Sequence, residues 1–300
     1  MKIHHILLTT VAAAASLSAL GLWTLARGTD ADIRQHRSAL LHTAAAAPSV
    51  PPTAAQLAAL PVPVQRWVAY TFPGGVPRLS HVALQMQGEF RRPRTSSFSP
   101  TSASQTLAAG TPALVFDATT PIGLGLWARA YDAFVDGRMD MQAKILSAVT
   151  VVNEPSSAEL DRISLRRWLL EAPLMPVALL PGGAVRWEPV DAQRARAVVA
   201  WRGMSASLVA SFGADGQLER FDSETDGDLG TPYHGSGEHV ARSDYQRVGP
   251  MMIPMQFSIA RAAGGQLHPF WRGRVTQVQH TAAGQQAAAV APATLLAGMR

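Results

Sequence analysis

Hydrophobic and polar positions alternate with period two over much of this chain. From His81 to Arg91, Val82, Leu84, Met86, Gly88 and Phe90 fall on one side, and Gln85, Gln87 and Glu89 on the other. Arg138 to Ile145 repeats the pattern, with Met139, Met141, Ala143 and Ile145 opposed to Arg138, Asp140, Gln142 and Lys144. Ala195–Trp201, Met204–Phe212 and Ile253–Ile259 alternate in the same way. Strict alternation predicts strands with one dry and one wet face, the signature of an antiparallel sheet. Asp136-Gly137 and Asp215-Gly216 lie between such runs and predict hairpin turns. Less regular strands are expected near 97–107, 112–118, 123–134, 185–190, 217–225, 238–247 and 270–280, giving 11 or 12 in all.

Two regions break the alternation. Thr53 to Phe72 reads as two short helical pieces parted near Pro61, with Thr53 as N-cap and an apolar stripe of Leu57, Leu60, Val64, Trp67 and Val68. The other runs from Ser156 to Asp191. Ser156 and Glu159 have the spacing of a capping box, and Pro173 ends the helix. Leu165, Trp168, Leu169 and Ala172 form one stripe, while Ile163 and Leu170 lie almost opposite, so the helix must be covered on two sides. The apolar loop Leu174–Leu180 is the expected second cover.

So few helices cannot cover so wide a sheet. The sheet must curl so that its dry face meets itself. The expected fold is α+β, mostly antiparallel β: an unclosed barrel of about 11 strands with a helix plugging its mouth. Five inward candidates are methionines, which make an adaptable wall. The expected cavity lining is Leu84, Met86, Met139, Met141, Trp168, Met175, Met204, Leu208 and Met255. A fully packed core explains the same pattern equally well.

The N-terminus adds a membrane signal. Ile6 to Ala26 carries no charge; at about 1.5 Å per residue, such a segment reaches across a bilayer core of about 30 Å. Residues 1–26 are expected to be a signal anchor, with a cleaved signal peptide as the alternative because Thr24-Leu25-Ala26 places small residues at a peptidase site. Residues 27–52 read as an Ala/Pro-rich linker, 53–280 as the half-barrel and 281–300 as a flexible tail. Lys2 favours an N-in orientation with the domain outside the cytoplasm, although Arg27, Arg34 and Arg37 follow the segment. The expected location is the bacterial cell envelope: inner-membrane anchored with the domain in the periplasm, or exported to it.

Charge and composition mainly exclude. The net charge is +5, and residues 1–52 supply +2 of it, so the remainder has no concentrated basic face for nucleic acid. With no cysteine there are no disulfides, thiolate metal sites or cysteine nucleophiles. Neither Lys2 nor Lys144 follows a glycine, which rules out a phosphate-cradling loop, and Gly123-Leu124-Gly125 lacks the third glycine of a dinucleotide site. The best polar constellation is Tyr233, His234, Glu238, His239 and Asp244, whose spacing matches no helical metal motif and is most simply a loop. Asp132 and Glu171 are expected to pair with Arg129 and Arg166/Arg167. Arg91, Arg92 and Arg94 form a short basic run, either a solvated hairpin end or a contact for anionic headgroups. No cofactor and no metal is expected.

Several segments carry a resemblance: LPVPVQRWVAYTFPGGVPR, YDAFVDGRMDMQAKIL, LDRISLRRWLLEAPLMPVALLPGGAVRWEPVD, SDYQRVGPMMIPMQFS and PFWRGRVTQVQ. From about Leu60 to His280 the chain resembles an uncharacterised bacterial family of domains of unknown function. That family has an aromatic residue where Met175 stands, which bears on any pocket there. In layout the chain also resembles the LolA/LolB-like lipoprotein carriers, unclosed barrels whose helices cover an apolar cavity; fold analogy alone warrants little about function. Three readings follow: a carrier of a lipid or other apolar ligand, a hydrolase using the Tyr233–Asp244 loop, or an envelope protein that docks a partner.

Overall fold

The computed structural model describes residues 2–92, 95–227, 229 and 238–285, with side chains from residue 16 onward. The chain opens with helix α1 (Lys2–Ala46), followed by two short helices, α2 (Ala54–Ala58) and α3 (Val62–Thr71). Thr53 caps α2 and Gln56 completes a capping box. Six strands follow: β1 (Leu79–Arg91), β2 (Phe98–Ala108), β3 (Leu114–Gly123), β4 (Leu126–Val135), β5 (Arg138–Ile145) and β6 (Val149–Glu154). Helix α4 (Ala158–Glu171) leads through two 3-10 turns, Ala172–Leu174 and Pro176–Leu179, into the second half. That half holds β7 (Val185–Pro189), β8 (Arg194–Trp201), β9 (Met204–Phe212), β10 (Leu218–Asp222), β11 (Glu238–Val248), β12 (Met251–Ala263) and β13 (Gln266–Ala282).

Among the described residues 13 strands join one antiparallel sheet in the order β6-β5-β4-β3-β2-β1-β13-β12-β11-β10-β9-β8-β7. Its outer strands, β6 and β7, do not pair with each other, so the sheet is unclosed as expected. The strand beyond the expected set is β6, whose apolar residues lie on both faces and hide the alternation. Turn chemistry matches the hairpins: Asp136 and Gly137 have φ of 55° and 78°, the paired left-handed conformation of a tight β-turn.

At the middle of the sheet β1 meets β13, and Gly88 stands opposite Gly273. A Cβ on Gly88 would lie 2.1 Å from the Arg272 carbonyl oxygen, and one on Gly273 would lie 2.3 Å from that of Gln87. Only glycine allows backbones this close.

Alternation sends neighbouring residues to opposite faces. Leu107, Leu114 and Phe134 belong to the main core, while their neighbours Ala108, Val115 and Ala133 pack with Leu40 and Ala44 of α1 on the other face. The main core also holds α4, the 3-10 segment and Trp67 of α3. The sheet thus has a concave face, filled by α4 and α3, and a convex face that carries α1.

This corrects the reading of 27–52 as a linker, because helix α1 continues to Ala46 and its second half is docked. Arg37 pairs with Asp117 at 3.0 Å, Arg129 with Asp30 at 3.0 Å and Asp117 at 2.9 Å, and Thr29 donates to the Ser147 carbonyl oxygen at 2.7 Å. Ile33, Leu40 and Ala44 bury one helical stripe between these polar contacts. Among the described residues no helix is long and apolar enough to cross a membrane. Residues 286–300 of the expected tail lie outside the described residues; 281 and 282 complete β13.

Candidate functional site: a helix across the trough

Helix α4 packs against β8 and β9 on one wall and against β4 and β5 on the other. Its start differs by one residue from expectation. Ser157, not Ser156, is the N-cap, its side chain accepting from the Leu160 N–H. Ser156 instead donates to Asp161 at 2.8 Å, and the other Asp161 oxygen accepts from the backbone N–H of Met139 on β5 at 2.7 Å. One carboxylate thereby ties the helix start to a wall.

Ion pairs tie the rest. Arg167 pairs with Asp132 of β4 and lies over the Phe116 ring. Burial opposes the Arg167 charge, but the Asp132 carboxylate more than offsets this and raises its pKa above the ordinary arginine value. On the opposite wall Arg166 meets Glu238 of β11 at 2.7 Å. Glu171 meets Arg242 of β11 at 2.7 Å, with side chains only 7% and 1% exposed. Arg242 also donates to the Leu170 carbonyl oxygen at 3.3 Å. The partners therefore differ from the sequence expectation. Asp132 takes Arg167, Glu171 takes Arg242, and Arg129 faces the convex side with Asp30 and Asp117. Pairs distant in sequence cannot be read from neighbouring charges.

The concave face brings together all nine expected lining residues. Leu84, Met86, Met139, Trp168, Met175, Leu208 and Met255 are buried in one cluster, with Met141 and Met204 half-buried against it. They pack on one another. Polar atoms buried in this layer without a partner include Nε1 of Trp168, Nε2 of Gln105 and Nε2 of His280. Gln105 lies across from Leu84 and Phe116, and His280 across from Val82, which places both on the concave face. Burial pushes the His280 pKa down to about 4. Sequence reasoning missed Gln105 and His280. Their signal was a polar side chain in register with apolar partners, legible only once strand pairing is known.

The polar constellation does not assemble among the described residues. Tyr233 and His234 lie outside them. Glu238 points into the trough toward Arg166. His239, next in the chain, faces the convex side, where its Nδ1 lies 2.7 Å from Asp222. Asp244 pairs with Arg274 at 3.5 Å. His239 and Asp222 border a convex cleft of about 420 Å³ with Arg220, Glu224 and Asp226. Its carboxylates are engaged: Asp222 by His239 and Arg220, Glu224 by Arg196, and Asp226 by the Gly265 N–H. Burial raises the Asp222 pKa, but the hydrogen bonds from His239 and Arg220 reverse that and hold it below the usual value. Ser223 donates to the Thr225 carbonyl oxygen at 3.1 Å. Among the described residues no cluster of His, Asp or Glu is arranged to hold a metal ion.

Residues 58–280 match the model of a family of unknown function, DUF6920. The chain belongs to that family, as its segment resemblance implied. No curated protein matches its sequence. Similar solved structures include a proposed outer membrane lipoprotein-sorting domain from Vibrio parahaemolyticus, 9% identical, covering 69% of this chain and 87% of that one with a TM-score of 0.36. A LolA superfamily protein from Nitrosomonas europaea is 8% identical over 72% of this chain and 91% of that one, with a TM-score of 0.38. A β-barrel-like protein of domain of unknown function DUF1849 from Brucella abortus is 9% identical over 67% and 97%, with a TM-score of 0.24. At such values the functional reading rests on the chain's own residues.

Proposed function

We propose that this protein is a membrane-anchored envelope domain that holds an acyl chain or similar apolar ligand between α4 and the central strands. The observation that carries the reading is the position of α4. It spans the two walls of an apolar, methionine-rich trough and is fastened to both by charged side chains. A helix needed only for packing would be held by apolar contacts, since replacing a buried ion pair with hydrophobic residues is often neutral or stabilising. Because the interior is filled by side chains, a ligand enters by displacing α4 or the methionines, whose unbranched side chains rearrange at low cost.

The unpartnered donors sharpen the ligand class. A buried donor without an acceptor costs about 1–3 kcal/mol. Gln105 Nε2 and Trp168 Nε1 are two such donors on the concave face. An ester or carboxyl oxygen at the head of an acyl chain supplies the acceptor they lack.

Anchoring is proposed from the uncharged stretch 6–26, of which residues 16–25 are exposed: Leu17, Leu20, Trp23 and Leu25 are each more than half uncovered. The test is photo-crosslinking of the full-length chain, in vesicles, with a diazirine-bearing fatty acid. Labelled peptides from α4, β1 and β5 are the expected result, with labelling lost in a folded Met141→Arg variant. Labelling confined to residues 6–26 would refute ligand binding in the trough.

A further inference from the structure

Where α1 leaves the sheet, apolar side chains gather that no core explains. Three contacts fix its course: Leu40 and Ala44 against Val115, Arg37 on Asp117, and Asp30 on Arg129, which pairs with Thr119. These contacts step along β3 as they step back along the helix, so α1 runs with β3–β4 and projects past the turn that joins them. From Asp30 to Trp23 the helix rises about 10 Å, and from Arg129 to Leu126 the strand advances about 10 Å. The turn and the emerging helix therefore reach the same level.

That turn reads Gly123-Leu124-Gly125-Leu126-Trp127. Leu124 is 100% exposed with φ of 53°, and Leu126 and Trp127 are 39% and 38% exposed. Isolated exposed apolar residues need no explanation, but a contiguous group beside an apolar helix does. A left-handed leucine between two positive-φ glycines is a costly way to expose a side chain unless something receives it.

The neighbouring hairpin adds charge. Ser102 pairs with Thr119, so Phe98, four residues earlier, stands level with Gly123, four residues later. Phe98 pairs with Arg91, which lies over its ring at 5.7 Å. Arg92 follows at the same end, and Arg94 lies outside the described residues. Apolar tips, an aromatic ring and arginines gathered at one end of the sheet are the side-chain types that a bilayer surface with anionic headgroups receives.

We propose that the ends of the β1–β2 and β3–β4 hairpins are a second membrane-contact surface, lying on an anionic bilayer at the point where α1 enters it. The proposal rests on the reading of residues 6–26 as the bilayer segment. The dinucleotide-like Gly123-Leu124-Gly125 then has a use: the glycines let the tip turn so that Leu124 points away from the protein.

The test exploits the absence of cysteine. Full-length single-cysteine variants Leu124→Cys, Leu17→Cys and Val190→Cys, each carrying a bimane label, are placed in phosphatidylglycerol-containing vesicles with nitroxide-labelled lipid. Val190 lies in the β7–β8 turn of the other half. Bimane at position 124 should be quenched several-fold more than at 190, and Arg91→Gln with Arg92→Gln should reduce that quenching in anionic but not in zwitterionic vesicles. Quenching at 17 with none at 124 would overturn the contact surface and leave the anchor standing. No quenching at 17 would overturn both. Leu124→Asp, at a fully exposed site, should keep the fold and lose the contact.

Discussion

The Glu171–Arg242 pair offers the sharpest test of how α4 is held. Glu171→Ala removes the carboxylate and leaves an arginine side chain that is 1% exposed with the Leu170 carbonyl and the Phe257 ring but no counter-charge paired to it. An uncompensated charge at such depth costs about 3–5 kcal/mol, a large part of the roughly 5–15 kcal/mol that keeps a domain folded. The surface pair Arg272–Glu89, with side chains 53% and 49% exposed, has nearly the same 2.8 Å separation, yet Glu89→Ala should cost at most about 1 kcal/mol. Equal distances and unequal burial therefore predict a severalfold difference in cost. Replacing both partners, Glu171→Leu with Arg242→Met, should restore most of the loss, because the penalty lies in the stranded charge. The assay is urea unfolding of the full-length chain in mild detergent, followed by tryptophan fluorescence. Glu171→Ala costing no more than Glu89→Ala, or the double variant unfolding as easily as the single one, would refute the reasoning. If α4 must move for ligand to enter, the double variant should also take up fatty acid more slowly or not at all than the Glu171→Ala variant.

Other consequences follow from the same geometry. His280, neutral in the fold with its pKa lowered to about 4, is protonated at its ordinary value near 6.5 in the unfolded chain. Its contribution is present above pH 6.5 and lost as pH falls toward 4, a loss of about 3 kcal/mol. His280→Gln should flatten that part of the stability–pH curve, and an unchanged slope would count against a buried neutral imidazole. Gly88→Ala should cost about 3 kcal/mol or more, since the new methyl meets the Arg272 carbonyl; wild-type thermal stability would contradict so close an approach of β1 and β13. Leu40→Ala, at a position with 0% exposure between α1 and the sheet, should cost about 2–3 kcal/mol. It should also open residues 27–46 to protease, and unaltered resistance would show that the polar contacts alone dock the helix.

The strands were legible because their faces are. Val82, Leu84 and Met86 alternate with polar residues, and one buried face is enough to reveal a period of two. β6 was not, because Val149 and Val151 are exposed at an edge while Val152 is buried, and apolar residues on both faces leave no alternation to read. The docking of α1 was missed for a different reason. Ile33, Leu40 and Ala44 do fall on one helical stripe, but alanine contributes little hydrophobic contrast, and half the interface is ionic. Its partners, Asp117 and Arg129, lie about 80 and 99 residues away in sequence. The nine expected lining residues fall in one cluster because inwardness is a property of each strand. Whether they enclose space depends on how α4 sits between the walls, and that is set by Asp132, Arg242 and Glu238, whose roles appear only when the strands are ordered.

The pairing of β1 with β13 bears on how the chain is made. Every other strand in the sheet pairs only with strands adjacent in the chain, so each half grows as a local meander. The central seam joins Ser80 to Thr281, 201 residues apart. Closing so long a loop costs about 2.5 kcal/mol more than closing one of a dozen residues, a modest thermodynamic term. The kinetic one is larger. At about 5–20 residues per second, some 10–40 s separate synthesis of β1 from that of its partner. Throughout that time β1, which ends beside the middle strand of the finished sheet, is an open edge. The nascent chain therefore carries an aggregation hazard at a place the folded protein hides well, and the joining of the two halves waits on the synthesis of β13.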